Sequence, residues 1–150
     1  MPELDQTPSM SMSRKVLCAG YAAIAAIALI ATWSQNLAYQ NSAADLFTTF
    51  WRETKVTPAS RSITADLLLF ALAAAILMVI EARKYGVRYV WAYIVGGVFI
   101  AISVTFPLFL LARELRMNSA DAPKLQAKDT VLLILLAVLA LAATIWVDAG

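Results

Sequence analysis

The sequence contains no histidine. Histidine-ligated haem, His-containing zinc sites and His-based general-base catalysis are excluded together. There is one cysteine, Cys18, so no intramolecular disulfide can form and a thiolate metal cluster has no ligand set. Within VLCAGYAA, Cys18 reads as a small hydrophobe in a helix interface. It precedes the apolar run rather than following it, unlike a lipoprotein cysteine. Charge is also scarce: 15% of residues are charged and 61% are hydrophobic. A soluble domain of 150 residues could not cover that much apolar surface with so few charges. The net charge of +2 and the dispersal of the basic residues leave no nucleic-acid footprint.

What the chain does have is long charge-free runs. The most informative stretch is residues 62–113. Here LLLFALAAAILMVI (67–80) and YVWAYIVGGVFIAISVTFPLFLLA (89–112) are joined by the basic turn EARKYGVR (81–88). At about 1.5 Å per residue the second run rises about 36 Å, enough to cross a hydrocarbon core of roughly 30 Å. The first reaches spanning length if Ser62 to Asp66 begin the same helix. The pattern predicts an all-α integral membrane protein with four transmembrane helices, at about 15–35, 62–83, 88–113 and 128–148. Residues 1–13 read as a disordered polar tail, and 14–150 as a single transmembrane domain.

In the first span Arg14 and Lys15 precede an alanine-rich run, GYAAIAAIALIA. A basic flank before an apolar run also fits a cleaved signal peptide. No small-x-small site follows, and Trp33 and Tyr39 read as interfacial anchors, so the span is taken as retained. Residues 43–54 are amphipathic. Ser42 and Asp45 suit a capping start, and Leu46, Phe47, Phe50 and Trp51 share one face, which predicts a short interfacial helix. Thr57-Pro58-Ala59-Ser60 breaks it before the second span starts near Ser62.

The candidate polar residues are Asp66, Glu81, Arg83, Arg88, Arg113 and Glu114. Asp66 lies near a helix start, where the dipole favours a carboxylate. Its plain reading is dipole stabilisation with pairing to Arg61 or Arg52. Its sharper reading is an acid at the membrane edge. Asp66 and Glu81 stand about 22 Å apart along one helix and cannot act as a pair. Gly96 and Gly97 invite close helix contact. Pro107 predicts a kink, with Ser103 and Thr105 able to satisfy the freed carbonyls. Trp91 and Tyr93 join an aromatic belt with Tyr85 and Tyr89, and Trp146 anchors the last span.

Four crossings would put both termini on one side. Arg14 and Lys15, beside the first span, point to the cytoplasmic side.

Several of these features occur together in one family. Pro58 with Ser60, Asp66-Leu67-Leu68, Glu81-Ala82-Arg83 with Gly86, Trp91 with Tyr93, and Phe106-Pro107-Leu108-Phe109-Leu110 before Arg113-Glu114 resemble the bacterial "domain of unknown function 2834" family. The resemblance covers roughly residues 15–116. Thr57 stands where the family often has asparagine, and the fourth span looks like an addition. The resemblance implies a fold and a location in the bacterial cytoplasmic membrane. It implies no activity, cofactor or catalytic residue.

Three functions compete. The first is a non-enzymatic accessory subunit or assembly factor of a larger membrane complex, with the bilayer and other membrane subunits as partners. The second is an enzyme or carrier acting on a lipid, isoprenoid or carotenoid-like substrate, with a bound lipid or pigment and Asp66, Glu81 or Glu114 as its acid. The third is a small oligomeric transporter. Such a transporter would need polar groups at mid-membrane, where Ser103 and Thr105 are the nearest approach. No cofactor and no metal is implied.

Overall fold

A computed structural model describes residues 10–37, 43–118 and 126–149, and all their regular structure is helical. The helices are α1 (Met12–Asn36), α2 (Ala43–Glu53), α3 (Pro58–Tyr85), α4 (Val90–Gly96), α5 (Ile102–Arg116) and α6 (Ala127–Asp148), with a π-helical segment at Gly97–Ala101 between α4 and α5. By length and composition four stretches suffice to cross a membrane: Met12–Asn36, Pro58–Tyr85, Val90–Arg116 and Ala127–Asp148. The protein is an all-α, multi-pass membrane protein. The tail up to residue 9, Tyr39, Ser42, the side chains of Asp45, Leu46 and Phe47, and the loop with Pro123 and Lys124 lie outside the described residues.

The second span starts at Pro58, four positions before the predicted Ser62. Thr57 and Ser60 close a reciprocal cap: the Ser60 amide donates to Thr57 Oγ1 at 3.0 Å and the Thr57 amide to Ser60 Oγ at 3.0 Å. Pro58 occupies the first helical position, where its missing N–H would have no helical partner in any case. The residues read as a breaker therefore begin α3. At its other end Gly86 adopts φ +67° and terminates the helix, with the Val87 amide donating to Ala82 O at 3.0 Å, the common left-handed glycine ending. Arg83 and Lys84 sit in the last turn, where cations oppose the carbonyl end of the dipole.

The third apolar run departs from the predicted single crossing. Its residues are long and apolar enough to span, but the chain reverses at its middle. Ala101 is extended, with φ 172° and ψ 142°, and α5 folds back along α4. A Cβ on Gly96 would lie 3.3 Å from Thr105 Cγ2, and one on Gly97 would lie 3.1 Å from Thr105 Oγ1 and 3.0 Å from Ile102 Cδ1. The Tyr93 and Phe109 rings meet edge-to-face at 5.8 Å. Along one continuous helix those two residues would stand about 24 Å apart. The result is a re-entrant hairpin. Val90–Ala101 enters the bundle for about 18 Å and α5 returns for about 22 Å. The break lies at Ala101–Ile102, ahead of Pro107, which is accommodated within α5.

Packing explains why the hairpin closes. Two adjacent glycines give α5 a backbone surface to lie on. Met78 and Ala82 of α3, Val87, Val90 of α4 and Phe109 of α5 form the buried core, with Tyr93, Ile94, Phe106 and Leu110 packed against it. The irregular tip would strand a carbonyl at membrane depth, which is tolerated only where protein or water satisfies it. The Trp33 indole Nε1 donates to Ile100 O at 3.2 Å. Helix α1 packs mainly on α5, with Ala25 buried midway.

The reversal also changes the predicted arrangement of the ends. Arg14, at the start of α1, meets the end of α5. Gln35, at the other end of α1, donates to Asp148 Oδ1 at 3.5 Å. The described chain therefore begins at one end of the bundle and finishes at the other, rather than bringing both ends to the same one.

Candidate functional site: a buried ion network at the base of the bundle

The re-entrant path returns α5 to the level where α1 starts and α3 ends. We call this level the base. Three helices bring four charged side chains together there. Arg113 Nε is ion-paired with Glu81 Oε2, joining α5 to α3. Arg113 Nη1 donates to Glu114 Oε1 at 3.2 Å. Arg14 Nε lies 3.7 Å from Glu114 Oε2, joining α1 to α5. Glu114 is 1% exposed and Arg14 6%, so burying either charge without the other would be costly.

Arg14 does more than neutralise charge. Its Nη2 donates to the backbone oxygens of Glu114 and Met117, the latter at 2.8 Å. Carbonyls at the end of a helix have no intrahelical donor, so α1 caps α5 through this one side chain. Arg116 Nη1 donates to Gly86 O at 2.9 Å, tying the same helix end to the α3–α4 turn. The Arg113 guanidinium also lies 5.1 Å from the Tyr85 ring centre and the Lys84 ammonium 4.9 Å from it, within cation–π range.

Of the predicted polar residues, the structure brings Glu81, Arg113 and Glu114 into one network. Arg83 and Arg88 are exposed at the same base. Asp66 is exposed on α3 and makes no ion pair among the described residues. Arg61, one of its expected partners, instead donates to Lys55 O at 2.8 Å. Gly96 and Gly97 face Thr105 and Ile102 across the hairpin. Ser103 is exposed, whereas Thr105 is buried and its Oγ1 has no hydrogen-bond partner. The hydroxyls therefore do not serve Pro107 as expected. Trp33 is half-buried at the hairpin tip, and Tyr93 packs in the core. Trp91 and Trp146 stay exposed. Phe50 and Trp51 are exposed as an edge-to-face pair at 6.0 Å.

Sequence reasoning missed Arg14 as a network member. Its position at the head of an apolar run reads as a topological flank, and its partner lies 100 positions away. The one available signal was the charge balance of the group, two arginines against two glutamates.

The network can neutralise, cap and clamp. Each carboxylate in it faces an arginine. Among the described residues no group of three or more acidic, cysteine or histidine residues could hold a metal ion. No curated protein and no solved structure matches the chain. Residues 21–115 match the family model described as "Protein of unknown function DUF2834". That stretch includes Glu81, Arg113 and Glu114 but neither Arg14 nor α6, so the last helix is an addition to the family's core. With well over half of its length matched, the chain belongs to the DUF2834 family of proteins of unknown function.

Proposed function

We propose that this protein is a non-enzymatic accessory or structural subunit of a larger complex in the bacterial cytoplasmic membrane. The observation that supports this reading is the state of α6. It has 22 residues, enough to span, and none of them is buried. Its far end is tied to the bundle by the Gln35–Asp148 contact. A helix so lightly held by its own chain has almost its whole circumference free for lipid or for neighbouring subunits. The use of charge supports the same reading. Glu81 and Glu114 are engaged in clamping helices, and Asp66 lies far along α3 from both, so no acid–base pair is assembled among the described residues.

Purification in mild detergent from the source membrane, with mass spectrometry of proteins and lipids, tests the reading. Stoichiometric recovery with other membrane subunits is expected. Recovery of the chain alone with one enriched lipid or pigment would sink it and favour an enzyme or carrier, with Asp66→Asn as the first variant to assay.

A further inference from the structure

We infer that the Arg14–Glu114–Arg113–Glu81 network is a topological lock. It holds Val90–Arg116 as a re-entrant hairpin instead of a spanning helix, and so sets the membrane orientation with the N-terminus in the cytoplasm and the C-terminus outside.

The run has two ways to sit in a bilayer. As one helix it is long enough to cross, and its length and hydropathy put no obstacle in the way. Crossing would carry Arg113, Glu114 and Arg116 to the face opposite Glu81 and Gly86. It would leave Arg14 without Glu114 and the Glu114 and Met117 carbonyls. The folded-back path instead returns those residues to the base, where every one of them is engaged.

The distribution of cations agrees. With the hairpin, Arg14, Lys15, Arg83, Lys84, Arg88, Arg113, Arg116 and Lys128 all lie at the base, and only Arg52, Lys55 and Arg61 among the described cations lie at the other end. A straight third span would move Arg113, Arg116 and Lys128 across and erase the asymmetry. Short loops rich in Lys and Arg stay on the cytoplasmic side, so the base faces the cytoplasm. The end marked by Gln35 and Asp148 then faces out.

The test uses the full chain, with Cys18→Ala as background. An impermeant maleimide is applied to the Asn118→Cys chain in intact cells and in everted vesicles. A phosphatase active only outside the cytoplasm, or a fluorescent protein that matures only inside it, is fused after Gly150. The lock requires Asn118→Cys to label only in everted vesicles, with the phosphatase active and the fluorescent protein dark. Labelling of Asn118→Cys in intact cells, or a bright C-terminal fluorescent fusion, overturns it. Adding Arg113→Glu should shift a fraction of Asn118→Cys labelling to intact cells. Unchanged labelling means that the network does not set the path. Should the Arg113→Glu chain fail to accumulate, Glu81→Arg added to it decides. Recovery with the original labelling upholds the lock, and no recovery overturns it.

Discussion

Single residues carry the helix contacts of this protein, and Arg113 is the most connected of them. It faces Glu81 across the α3–α5 interface and Glu114 on its own helix. Removing one member of a buried ion pair costs about 3–5 kcal/mol, because the partner's charge is left uncompensated. Arg113→Ala should approach the lower figure, since Arg14 remains beside Glu114 and Glu81 is at the edge of the buried region. Arg113→Ala together with Glu81→Ala should cost less than the two single changes added. Unfolding of the purified chain in mixed micelles reads both, and strict additivity would mean that the two side chains do not interact. Thr105 offers the opposite sign. Its hydroxyl is buried and unpartnered between α5 and Gly97. Thr105→Val keeps the shape and removes a polar group left without a partner, so it should stabilise by about 1 kcal/mol. A loss of stability would show that the hydroxyl is hydrogen-bonded in the bilayer.

At the scale of elements, the re-entrant hairpin makes a geometric prediction that no spanning helix can imitate. Residues 96 and 105 are in contact across the hairpin but would lie about 13 Å apart along a straight helix. In the Cys18→Ala background, Gly96→Cys with Thr105→Cys should lose both free thiols on mild oxidation, because a Cβ at position 96 lies 3.3 Å from Thr105 Cγ2, close enough for two sulfurs to meet. Val98→Cys with Thr105→Cys, with Val98 exposed on the lipid side, should keep them. How much of this element was legible follows from what hydropathy measures. The run from Tyr89 to Ala112 is charge-free throughout, so a window average treats a hairpin of two short helices and one long helix alike. Gly96-Gly97 did announce a close backbone approach. What they approach is Thr105 and Ile102 of the same run, which no local signal in the sequence indicates. The start of α3 was misread for a local reason. Thr57-Pro58-Ala59-Ser60 contains the residues of a breaker, yet with proline at the first helical position they form a cap. The start of α1 and both ends of α6 were readable because charge and hydropathy change together there.

For the whole molecule, the reversal of one run changes which loop charges share an end of the bundle. With four straight spans, Arg113, Arg116 and Lys128 would stand on the face opposite Arg14 and Lys15. With the hairpin they fall on the same end. Glu81 and Glu114 were visible as acids, but their use depended on a fold that brings α1, α3 and α5 to one level. The same architecture separates a clamped part from a loose one. α1, α3, α4 and α5 share the core and the ion network, whereas α6 buries nothing and lies beyond the family match at 21–115. Stability should therefore reside almost entirely in the first five helices. A chain ending after Asn118 should melt in detergent within a few degrees of the full chain, since about 1 kcal/mol moves a domain of this size by roughly 2–8 °C and almost no buried contact is lost. If α6 serves a partner, the same truncation should abolish co-purification of that partner while leaving the melting temperature in place. A large fall in melting temperature would instead make α6 part of the folding unit, and its exposed surface would then have to be covered within the protein's own assembly.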